Sequence, residues 1–193
     1  MKPRAAAGVL CLIGTLAGCA SSPLDAARGD FYRRDYAAAE VRLAPLSAEE
    51  GRNAVLAAME RGTALHMAGR YEESNAEFLK ASARIRDLET KSATKETAGL
   101  LYSDIARDYA GEPHERVLVH TYLLMNFLIL DRGEEALVEA RRALKLLDEK
   151  DRPDSLQDPF TRYLAAIAFD IRGADDDAYI EFKKVAKLAP AFP

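Results

Sequence analysis

Four segments of this 193-residue chain share one spacing. In each, a short turn containing Gly or Asp is followed by an aromatic or acidic residue. Small or apolar residues then recur at intervals of four and seven. The clearest segment runs from Gly69 to Ala81, where Ser74, Phe78 and Ala81 fall at i, i+4 and i+7, on one face of a helix. The register returns with Ala136, Ala140 and Ala143 after Asp131-Arg132-Gly133, and with Ala178, Phe182 and Val185 after Arg172-Gly173. A weaker copy comes first, with Ala39, Leu43 and Leu46 after Arg34-Asp35-Tyr36. A unit of this kind is a helix, a turn and a second helix. It cannot bury its apolar face alone, so neighbouring units must stack.

The pattern resembles the tetratricopeptide repeat. In that register Gly62 takes a small position of the first helix and Leu65 a large one, while Pro190 stands at the family's closing proline. The resemblance implies an all-α, tetratricopeptide-like helical-hairpin solenoid of about four repeats. A generic helical bundle with similar hairpins is the alternative. The first helices are expected from about Pro23 with Ser22 as N-cap, over Val117 to Leu130, and over about Phe160 to Ile171. The anchor residues Ala39, Ser74, Ala136 and Ala178 are 35, 62 and 42 residues apart, against a usual period of about 34. About 28 residues are therefore inserted between the second and third copies. A polar linker, Glu149 to Asp158, adds the rest.

The amino terminus reads as an export signal. Lys2 and Arg4 precede an apolar run, Ala5 to Leu16, of about a dozen residues, too short to cross a bilayer as a helix. Leu16-Ala17-Gly18-Cys19 follows and resembles the bacterial lipobox. That resemblance implies cleavage before Cys19 and acylation of its thiol, which anchors the protein to a membrane. An ordinary secretory signal with a chance cysteine is the alternative. By the sorting rule of Gram-negative lipoproteins, Ala20 in place of Asp implies the outer membrane, periplasmic face. The expected organisation is a signal peptide over 1–18, repeats one and two over 19–88, an insertion over 89–116, and repeats three and four over 117–193.

Without residues 1–18 the chain carries 25 basic and 31 acidic residues. This acidic balance offers no footprint for nucleic acid and no polybasic patch for anionic lipid. Cys11 and Cys19 are the two cysteines, so the repeat region holds neither a disulfide nor a thiolate metal site. His66, His114 and His120 lack metal-ligand spacing. No nucleophile elbow, phosphate loop or paired-carboxylate signature is present. The expectation is a protein that is no enzyme and needs no cofactor or metal.

Within the insertion, Thr97 to Tyr109 has the apolar spacing of another helix. Tyr109-Ala110-Gly111-Glu112-Pro113-His114-Glu115-Arg116 follows, with Pro113 suited to a first helical turn and Glu112 and Glu115 to the positive end of a helix. This Tyr-x-Gly-Glu-Pro-x-Glu-Arg motif, with Tyr122, Asn126, Glu72 to Asn75 and Glu135 to Arg142, resembles a family of bacterial repeat-containing lipoproteins without a settled biochemical function. Similar repeat lipoproteins assist outer-membrane protein assembly, secretin assembly or activation of peptidoglycan synthases. The resemblance implies a scaffold for cell-envelope proteins.

The repeat register places Met59, Thr63, His66, Met67, Thr121, Met125 and Leu128 toward a concave face. Three of the chain's four methionines are in that set, and methionine adapts to varied partners. Core filling explains them equally well. The expected partner-binding residues are Met59, His66, Met67, Tyr109, Glu112, Arg116, Thr121 and Met125, with Cys19 for lipid. A rival expectation is an envelope enzyme or small-ligand binder built on an Arg116–His120 patch. A third is an oligomer paired through the carboxyl-terminal helix, where Tyr179, Ile180, Phe182 and Val185 leave apolar area uncovered.

Overall fold

A computed structural model describes residues 22–97, 108–149 and 157–191, the side chains of 95–97 apart. Cys19, most of the expected helix Thr97–Tyr109 and most of the linker Glu149–Asp158 lie outside these residues. The described chain is all-α. Its helices are α1 (Pro23–Tyr32), α2 (Tyr36–Ala48), α3 (Ala54–Met67), α4 (Tyr71–Thr97), α5 (Pro113–Ile129), α6 (Gly133–Leu147), α7 (Pro159–Ile171) and α8 (Asp175–Leu188).

Each helix packs on its chain neighbours, and α5 also touches α3 and α7. The start of α1 is set as its sequence suggests: Pro23 opens the first turn and the Ser22 hydroxyl accepts from the Asp25 amide at 3.2 Å. At α7, Asp158 caps Phe160 in the same way.

Four turns share one geometry: α1–α2, α3–α4, α5–α6 and α7–α8. In each, the residue five before the small anchor adopts a left-handed backbone: Arg34, Gly69, Asp131 and Gly173, with φ of 64°, 75°, 56° and 70°. The next amide then reaches back to a carbonyl five residues earlier. These bonds are Asp35 to Asp30, Arg70 to Leu65, Arg132 to Phe127 and Ala174 to Phe169, all within 2.8–3.0 Å. This is the Schellman closure of a helix end, and it satisfies carbonyls that the helix leaves unpaired.

The close approach of α3 and α4 has a local cause. The Ser74 hydroxyl donates to the Gly62 carbonyl at 2.8 Å, and a Cβ on Gly62 would stand 2.8 Å from the Phe78 ring. Only glycine leaves room there. Buried apolar residues form one cluster from Val55 to Ala178, including Phe78, Leu123, Leu124, Phe127, Leu147 and Phe169.

Helix α4 runs from repeat two into the insertion. The polar stretch after Leu88 continues the helix to Thr97, across the expected junction at 88/89. Charged and threonine-rich residues need no core when a helix runs into solvent. Thr90 and Thr94 donate to the carbonyls of Arg86 and Thr90, each at 2.9 Å.

Candidate partner-binding face

The first helix of each turn ends on a large apolar residue seven before the small anchor. These residues are Tyr32, Met67, Ile129 and Ile171, at 82%, 48%, 53% and 60% exposure. The shared turn explains why they sit alike. Each is the last helical residue before the same closure, so each side chain leaves its helix at the same point. Because α5 touches both α3 and α7, Met67, Ile129 and Ile171 stand on adjacent helices, about 10 Å from one to the next.

The expected partner-binding residues divide into groups. Met67 is exposed, and Met125 and His66 are half-buried. Met59 and Thr121 are buried instead. They share a register, fifteen before the anchor, and first helices touch one another there. Met59 belongs to the apolar cluster. Thr121 donates to the Val117 carbonyl at 3.0 Å and meets the Thr161 hydroxyl of α7 at 2.6 Å.

His66 is the visible end of a buried polar relay. Its Nδ1 lies 2.5 Å from Asn126 Oδ1, the Asn126 amide donates to Ser74 Oγ at 2.9 Å, and Ser74 donates to Gly62. An amide oxygen accepts, so His66 Nδ1 carries the proton. The ring stands edge-on to Tyr71 and Tyr122, at 5.4 and 5.1 Å, and Tyr122 stacks on Phe78 at 4.9 Å. Tyr122, Asn126 and Ser74, which carry part of the family resemblance, thus converge between α3, α4 and α5.

The Tyr109–Arg116 motif closes the start of α5. Tyr109 donates its phenol to Glu115 and its amide to the Arg52 carbonyl, the latter at 2.9 Å. Glu115 Oε2 accepts from the Glu112 amide at 2.7 Å, Pro113 opens the helix, and Arg116 Nε donates to the Gly111 carbonyl at 3.0 Å. Gly111 has φ of 80°, which favours glycine. Burial, and then the Glu115 carboxylate, push the Tyr109 phenol up to about 12. Glu112 is exposed.

Arg116 and His120 turn to different partners. Arg116 pairs with Glu89 of α4, whereas His120 Nδ1 meets Glu139 of α6 at 2.6 Å. Among the described residues, no group of three or more His, Cys, Asp or Glu side chains is placed to hold a metal, and no helix is long and apolar enough to cross a membrane.

Sequence reasoning missed a set of buried glutamates. Glu77, Glu139 and Glu181 each lie three after the small anchor, and each takes a nitrogen partner from its first helix and a cation one turn on. The pairs are Arg61 and Lys80 for Glu77, His120 and Arg142 for Glu139, and Arg162 and Lys184 for Glu181. Burial opposes the charge of Arg162, but hydrogen bonds to Asp148 and Glu181 outweigh it and raise the guanidinium above its ordinary value. The recurring Glu was legible as a register position; its burial was not. Glu60 lacks this double pairing. Burial raises its carboxyl, and the bond from Arg28 only partly offsets that.

No known protein-family model matches the chain. No curated protein matches it either.

Proposed function

We propose that this chain is a lipoprotein scaffold of about four tetratricopeptide-like repeats, anchored through Cys19 to the outer membrane and facing the periplasm. Its first-helix face binds an extended segment of a cell-envelope protein. The observation that carries this reading is the row Tyr32, Met67, Ile129 and Ile171, one exposed apolar residue from each hairpin in one register. The four identical turns and the recurring buried glutamate support the repeat reading.

Steps of about 10 Å between helices match one turn of polyproline-II chain, three residues at about 3.1 Å each, which returns every third side chain to the same face. The fitting partner is therefore a peptide with an apolar residue at every third position. Main-chain groups would add affinity, and the apolar pockets would set register.

Two tests address the halves of the proposal. Metabolic labelling with a palmitate analogue tests the anchor: label is expected in the parent chain and absent from Cys19→Ala. An unlabelled parent rejects the anchor. For the face, a Met67→Ser, Ile129→Ser and Ile171→Ser variant is expected to keep its helical spectrum and lose its envelope partner in affinity purification. Undiminished capture rejects this face.

A further inference from the structure

Helix α8 carries an apolar stripe that its counterparts do not expose. Tyr179 is one residue after the small anchor and is 66% exposed, whereas Leu137 of α6 and Asn75 of α4 hold the same register at 9% and 3%. There, α7 packs over α6 and α5 over α4. Phe182 corresponds to Phe78, whose ring is covered by Tyr122. Tyr179, Phe182 and Ala186 fall at i, i+3 and i+7, so the stripe runs along one side of the helix. It is flanked by exposed charge of opposite sign at the two ends: Asp175, Asp176 and Asp177 in the first turn, Lys183 and Lys187 toward the last.

We infer that a second copy of this chain covers the stripe, with the two α8 helices antiparallel about a two-fold axis. That arrangement sets the acidic first turn of each helix against the basic end of the other, and it opposes the helix dipoles. Tyr179 and Phe182 then meet their own kind at the centre. Head-to-tail stacking lacks this match. The opposite end of the molecule, α1, presents Asp25 and Arg28, and Arg28 is already paired with both Asp25 and Glu60.

The test is light scattering of the protein extracted from membranes in a mild nonionic detergent. Two chains per particle are expected. Asp175→Lys with Asp176→Lys, and separately Lys183→Asp with Lys187→Asp, should each weaken self-association at least about ten-fold. Mixing the two variants should restore pairing as a heterodimer, because each end then faces its opposite. Circular dichroism checks that α8 still forms, and Tyr179→Ser, which leaves the charges alone, should also dissociate the pair. One chain per particle in the parent overturns the inference. So does pairing that ignores these substitutions, or a mixture that stays monomeric.

Discussion

The hairpin α1–α2 and the body α3–α8 are joined by different forces. From Val55 to Ala178 the body shares one apolar cluster, to which α1 and α2 contribute no residue. The amino-terminal hairpin buries Ala27, Ala39 and Leu43 between its own helices and α3, and arginines fasten it. Arg61 of α3 reaches both Glu40 of α2 and Glu77 of α4, and Arg70 reaches Glu40. Arg84 of α4 donates to the carbonyls of Ser47 and Glu49, at 2.8 and 3.1 Å, and so closes the end of α2. Apolar packing is non-directional and spreads a perturbation through the cluster. Ion pairs are local, and salt screens them where they reach solvent. A cooperative body and an arm that opens before it are therefore expected.

The largest expected effect tests the body. Phe78→Ala empties a site between α3, α4 and α5 and should cost about 4 kcal/mol in urea unfolding. Arg61→Ala comes next. It leaves buried Glu40 only its 3.4 Å contact with Arg70 and buried Glu77 only Lys80, at a cost of about 2 kcal/mol. Hydrogen exchange should quicken in α1 and α2 while α6 and α7 keep their protection. Uniform quickening would break the comparison. Gly62→Ala drives a Cβ into the Phe78 ring and should cost about 2 kcal/mol, felt throughout the body.

Smaller effects sharpen the picture. Arg34→Gly and Asp131→Gly relieve left-handed backbone and should each stabilise by about 1 kcal/mol. The first should raise the arm's protection and the second the body's. The smallest concerns the loop at Tyr109, which bonds to Arg52 in the α2–α3 connection. The folded phenol titrates higher than the unfolded one. Its contribution is therefore complete below about pH 10 and is lost as pH rises through about 12. Ultraviolet titration should show a late tyrosine component that moves earlier in Glu115→Gln.

The turns and close contacts were legible in the sequence because local chemistry dictates them. Ser22 and Pro23 suit the cap and first turn of a helix, and small Gly62 opposite Ser74 announces close helices. The site was less legible. Met59 and Thr121 carry the same pattern as surface residues, but contact between first helices, a tertiary fact, buries them. Tyr109 and Arg116 read as binding groups because their residue types suit recognition. In the fold, their hydrogen bonds close the start of α5. The exposed row at Tyr32, Met67, Ile129 and Ile171 was half-visible: its positions recur in register, but nothing in the sequence says which apolar residues stay uncovered. Polar residues after Leu88 concealed the length of α4, since a solvated helix needs no apolar stripe.

The most direct test of the binding face is in-cell photo-crosslinking from positions 129 and 171, with position 138 on the outer side of α6 as control. The account predicts adducts from 129 and 171 on one envelope protein, about three residues apart in one polyproline-II segment, and none from 138. Adducts on unrelated proteins, equal capture from 138, or none from 129 and 171 would contradict it.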